Sequence, residues 1–157
     1  MTLMDAQQYD EARARRRRNF LIAGVFALLI LAWIVYHFRN YSERRAADNF
    51  FAALQSQNIE GAYALWLKDP DWKQHPQRYS QYSFGDFTRD WGPAGDWGII
   101  KSHKINCSYS SGSGVIVQGT VNNRAEHAYV WVDKGNKTLH FSPNDIDCGN
   151  WWGWLTE

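Results

Sequence analysis

Surplus charge is the first thing missing. The 17 lysines and arginines face 16 aspartates and glutamates, a formal net charge of +1, and beyond one N-terminal arginine run the two signs are interspersed. A polyanion-binding surface needs a block or stripe of cations, so no nucleic-acid partner is expected. Cysteine is scarce too: Cys107 and Cys148 are the only two, and they lie too far apart to supply the close ligand pairs of a structural zinc site. His75, His103, His127 and His140 show no i, i+4 pairing and no adjacent carboxylate at ligand spacing, so no metal centre is expected. Gly112 and Gly114, in SSGSG, are followed by a strand-like run rather than a helix N-terminus and read as a turn, not a phosphate cradle. With no G-x-S-x-G element, no internal repeat and no low-complexity tract, no motif points to catalysis or to a cofactor.

What is present is one long apolar run, FLIAGVFALLILAWIVYHF over residues 20–38, without an acid or a permanent cation. As a helix it covers roughly 28 Å, close to the hydrocarbon thickness of a bilayer. A buried core helix and the apolar centre of a cleaved signal peptide are the competing explanations. Cleavage, however, needs small residues just past the run. Here Trp33, Tyr36, His37, Phe38 and Tyr41 end it, residue types that suit an interfacial aromatic belt. A retained signal-anchor is therefore expected. Arg15, Arg16, Arg17 and Arg18 abut the run on its N-terminal side, whereas Arg39, Arg44 and Arg45 beyond it are mixed with Glu43 and Asp48. The positive-inside bias then places residues 1–19 in the cytoplasm, against anionic headgroups of the plasma or inner membrane, and residues 39–157 outside. Ala23 and Ala27 form a small-xxx-small pair that would let two spans approach as a homodimer.

Residues 39–157 have the size of one ordinary domain and an unusual load of aromatics. Both cysteines fall on the side assigned to the exterior, which favours a Cys107–Cys148 disulfide over two free thiols. From Ser42 to Gln55 the apolar residues Ala46, Ala47, Phe50, Phe51 and Leu54 recur at helical spacing. Asn58 is placed to cap a second helix through Ile59, Ala62, Tyr63, Leu65 and Trp66, which Asp69-Pro70 ends. Tyr79, Tyr82, Phe87 and Trp91 suggest a third helix, interrupted by Gly85. From Trp97 onward the period changes to two, with Ile99, His103, Ile105, Cys107 and Tyr109 on one face of a strand. Residues 115–121, 125–133 and 138–142 follow as three more strands, separated by turn residues. The expectation is an α+β domain, a helical hairpin packed on a four-stranded antiparallel meander. A disulfide in such a meander requires the tail after Pro143 to fold back toward the first strand. Trp151, Trp152 and Trp154 would then plug the sheet as core, together with Trp66 and Trp131.

The stretch FFAALQSQNIEGAYALW, with the order of elements after it, resembles the opening helices of small membrane-anchored domains in the nuclear transport factor 2-like (cystatin-like) group. The resemblance implies a curved sheet around helices, enclosing a cone that enzymes of this shape, such as steroid isomerases and dehydratases, use as a pocket. His103, on the presumed core face, with Tyr63, Trp66 and Tyr129 are the ligand-pocket candidates; none sits in a family motif, and no catalytic role is assigned. Two functions follow as expectations. One is a non-catalytic anchored module that binds another membrane protein or assists assembly of a membrane complex. The alternative is a small-ligand pocket, with or without isomerase- or dehydratase-like chemistry. The short link between span and domain favours the module.

Overall fold

The computed structural model describes residues 11–148, and the chain divides into two compact units, Met1–Arg39 and Asn40–Glu157. The first unit is built on helix α1 (Glu11–Phe38), 28 residues long. It ends where the apolar run ends and extends N-terminally through the arginine run, whose Arg15, Arg16, Arg17 and Arg18 are exposed. Phe20, Leu21, Phe26, Leu29 and Trp33 are likewise exposed, so the helix is apolar around its whole circumference. It is long and apolar enough to cross a membrane, with a window of mean hydropathy 2.3.

The second unit is the expected α+β layout. Helices α2 (Tyr41–Gln55) and α3 (Ile59–Leu67) form the hairpin, and Asn58 caps α3 by accepting from the Gly61 amide at 2.9 Å. Lys68 takes a left-handed conformation, φ 56°, and Pro70 prevents any return to helix. The third helix differs from its expected form. Residues Trp72–Gln74 and Pro76–Tyr79 make 3-10 turns, and α4 starts only at Phe84, running to Trp91. A reciprocal capping box sets that start: Ser83 Oγ accepts from the Asp86 amide, and the Asp86 carboxylate accepts from the Ser83 amide, both at 3.2 Å. Gly85 therefore lies in the first turn rather than interrupting the helix, and Tyr79 and Tyr82 precede it.

Strands β1 (His103–Ser111), β2 (Gly114–Val121), β3 (His127–Asp133) and β4 (Leu139–Phe141) make one antiparallel sheet in the order β1-β2-β3-β4. Helix α2 packs on β1, β2 and β3. Its Ala47, Phe50, Phe51 and Leu54 meet Val115, Val117, Val121, Val130 and Val132 from the sheet, all fully or almost fully buried. Phe50 is the hub: its ring lies 5.1 Å from Trp91, 5.2 Å from Phe51, 5.4 Å from Trp66 and 6.1 Å from Phe87. Gly119 lets Phe51 approach the sheet, because a Cβ there would meet the ring at 3.3 Å.

Strict alternation fails once along β1. The register with β2 shifts between Ile105 and Cys107, leaving Asn106 as a bulge. His103 and Ile105 share the helix-facing side with Val121 and Gly119, but beyond the bulge it is Ser108 and Ser110 that face the helices, opposite Val117 and Val115. Cys107 and Tyr109 are thereby turned to the outer face, contrary to the uninterrupted alternation read from sequence. Asn40, just before α2, holds the inward serines: it donates to Ser108 Oγ at 3.4 Å and accepts from Ser110 Oγ at 3.3 Å. Trp131 is a second departure. It alternates with buried Val130 and Val132 on β3 and so lies on the outer face, over Gly114, where a Cβ would collide with the indole. Trp66 is in the core as expected; Trp151, Trp152 and Trp154 lie outside the described residues.

One ion pair ties the start of α2 to the β3–β4 turn. Glu43 is only 5% exposed, and Lys137 Nζ donates to its carboxylate at 2.7 Å while Ser42 Oγ donates at 3.0 Å. Burial by itself would raise the Glu43 pKa. The bonds from Lys137, from its own backbone amide and from Ser42 outweigh burial and hold it below the ordinary glutamate range. A lowered folded pKa means stability that is complete above the ordinary value and lost as pH falls through the lowered one. Glu43→Gln is therefore expected to cost about 2 kcal/mol at neutral pH. The gap from the parent chain should close in acid, as read by urea unfolding at a series of pH values; a gap independent of pH would show that the carboxylate charge is not what holds this corner.

Candidate functional site

The four pocket candidates do not converge. His103 Nδ1 lies 2.7 Å from Gln55 Oε1, its Nε2 lies 3.1 Å from Asp48 Oδ1, and Phe51 stacks on the ring at 5.9 Å. Both ring nitrogens are taken up by α2, so the histidine clasps helix to strand. Tyr63 and Trp66 sit in the aromatic core with Phe87. The Tyr63 hydroxyl donates to the Tyr82 carbonyl at 2.6 Å, and burial pushes its phenol pKa up, with Tyr79 and Asp86 adding to the shift, so it stays a neutral donor. The space between helices and sheet is thus filled by aromatic rings. Tyr129 is elsewhere, on the outer face of β3.

Open surface lies on that outer face and around the half of β3 that β4 leaves unpaired. Two adjoining depressions, of about 500 and about 350 Å³, share His127 and Tyr129 as lining residues. The disulfide creates the second one. Cys107, turned outward by the bulge, bonds Cys148 with their Cα atoms 5.7 Å apart, so the strap of residues 142–148 crosses the outer face as the meander required. Gln118, 4% exposed, fastens the strap from below: its Nε2 donates to the Ile146 carbonyl and to the Tyr129 hydroxyl, each at 3.1 Å.

These bonds orient the amide side chains along the face. The Ile146 carbonyl can only accept, which orients the Gln118 amide and leaves Gln118 Oε1 to accept from Asn106 Nδ2 at 3.3 Å. The same Asn106 nitrogen donates to Thr120 Oγ1 at 2.8 Å, and Thr120 Oγ1 lies 3.3 Å from His127 Nδ1. Thr120 Oγ1 has two lone pairs and one proton, so while accepting from Asn106 it can pair with His127 Nδ1 in either direction. Tyr129, accepting from Gln118, keeps its hydroxyl proton to donate. The larger depression adds the aromatic rings of Trp91, Trp97 and Phe141 and the exposed carboxylates of Glu126 and Asp145. Chemically this surface offers donors, acids and aromatic rings.

Sequence reasoning reached Tyr129 and both cysteines but passed over His127, Gln118 and the two acids. The usable signal was the alternation of β3, which puts His127 and Tyr129 on one face; it went unused because that face was assigned to the core. Elsewhere, Asp69 Oδ2 accepts from the Tyr79 hydroxyl at 2.5 Å and lies 2.6 Å from His75 Nε2, stapling the loop before α4. The Tyr79 bond is the main reason the Asp69 pKa is lowered. Among the described residues no group of three His, Cys, Asp or Glu side chains is placed to hold a metal ion. No family model matches this chain, and no curated protein or solved structure matches it either.

Proposed function

We propose that the chain is a single-pass signal-anchored protein of the plasma or inner membrane whose α+β domain lies outside the cytoplasm. It acts as a non-catalytic module that binds another membrane protein or helps assemble a membrane complex. The observation that carries the reading is the aromatic filling between helices and sheet, with both nitrogens of His103 engaged by Gln55 and Asp48. That leaves the outer face and the adjoining β3 edge, where the two depressions are, as the surface that favours binding. The arginine run on one side of an apolar helix, and a domain helix beginning three positions after that helix ends, support the orientation and the anchoring. The resemblance to anchored domains of the nuclear transport factor 2-like group agrees with this role.

Two measurements test it. A reporter fused at Glu157 is expected to be active only outside the cytoplasm, and cytoplasmic activity would overturn the orientation. A photo-crosslinking residue placed in turn at exposed positions of the domain, Tyr109 and Glu126 among them, should give at one cluster of positions a single saturable adduct with a membrane protein. Uniform weak adducts over the whole surface would overturn the binding role.

A further inference from the structure

We propose that the unpaired half of β3 is a docking edge for an extended segment of a partner protein that carries a lysine or arginine. The proposal rests on the partner-binding reading above and gives it a surface and a chemistry. Of the seven residues of β3, β4 pairs only with Val130, Trp131 and Val132. The edge at His127, Ala128 and Tyr129 has no strand beside it among the described residues, although β2 pairs the same residues on the other side. The cause is local. Continued past Phe141, β4 would run alongside this edge, but Pro143 has no N–H to give to a ladder, and the strap is drawn away to Cys107 by the disulfide and by Gln118.

The depression of about 500 Å³ lies along this vacated edge. An added strand would supply the main-chain bonds that the edge lacks, with the depression beside it to take a side chain. The lining selects the side chain. Glu126 and Asp145 are exposed acids, and Phe141, 51% exposed, offers an aromatic ring to a cation beside them. Arg124, next in sequence to the lining residue Ala125, is occupied: its guanidinium lies over Trp97 at 5.8 Å and donates to the Asp96 carbonyl at 2.9 Å. A wall that already holds one cation, rimmed by two carboxylates, complements a basic segment and repels an acidic one.

The test uses the full chain in nanodiscs and a fluorescent pentapeptide, Thr-Val-Lys-Val-Thr, read by anisotropy. Saturable binding is expected. It should weaken about tenfold when Glu is put in place of the peptide's Lys, and about tenfold in the Glu126→Gln, Asp145→Asn double variant, whose exposed substitutions leave the fold intact. Backbone N-methylation of the peptide should abolish binding, because it removes the ladder bonds while keeping the cation. Absence of saturable binding, equal binding of the N-methylated peptide, or displacement by butylamine at equal affinity would each overturn strand addition. If any of these occurs while the membrane-protein adduct still forms at other positions of the domain, this edge is wrong and the binding role stands; loss of the adduct everywhere removes the role itself.

Discussion

Phe50→Ala is expected to cost about 3–5 kcal/mol, the range for removing a fully buried phenylalanine from a core that cannot close the void. The void cannot close because the rings around it brace one another. Trp66 lies 6.0 Å from Phe87 and 5.9 Å from Trp91, and Trp91 lies 6.1 Å from Phe51. Small domains have about 5–15 kcal/mol of net stability, so the variant should keep little or none of its native near-ultraviolet circular dichroism at physiological temperature. Tyr109→Ala is the control. That ring is 55% exposed on the outer face, and its loss should change stability by no more than about 0.5 kcal/mol. Similar costs for the two would mean that the aromatic cluster is not the centre of the fold.

The second large effect is loss of the disulfide. Cys107 and Cys148 are 41 positions apart, and a bridge closing a loop of that size contributes about 4 kcal/mol by restricting the unfolded chain. Replacing both cysteines with serine should lower stability by about that amount in denaturant titrations. The oxidised parent should fall to the variant's level once reductant is added. A difference under about 1 kcal/mol, or full alkylation of both thiols in unreduced protein, would show that the bridge does not hold the native state. The effect should also have a local part. Without the bridge, the Ile146 carbonyl on Gln118 loses its covalent support, so the Gln118 side-chain amide protons should exchange with solvent sooner than the amides of β2.

The elements were legible because their signals are local and repeated. Ala47, Phe50, Phe51 and Leu54 mark the buried stripe of α2 whatever lies opposite, and Asn58 marks the start of α3 by its own side chain. The faces of the sheet were harder. Parity is a chain of inference that one inserted residue reverses, and nothing in the composition of HKINCSYSS marks Asn106 as the extra one. It shows only through its partners, Gln118 and Thr120, which belong to another strand. Trp131 was misplaced for a related reason. A large apolar ring was assigned to the interior, whereas its alternation with Val130 and Val132, and a glycine on the neighbouring strand that gives the indole room, put it outside. The candidate site was least legible because it depends on where the strap goes after Pro143 ends the ladder, and that path is set by long-range bonds to Cys107 and Gln118.

The bulge also makes β1 respond to the loss of one residue in an unusual way. Exchanging Asn106 for another residue removes two amide bonds on the outer face and leaves every neighbour in register. Deleting its codon removes the one residue between Ile105 and Cys107 that has no partner on β2, so Ile105 opposite Gly119 and Cys107 opposite Gln118 become consecutive and both halves of the strand keep their faces. Deleting Ser108 instead turns Cys107 inward, away from Cys148, or turns over the half toward Ser111. A scan of single-codon deletions along β1 should therefore show tolerance at Asn106 against sharp intolerance at Ser108.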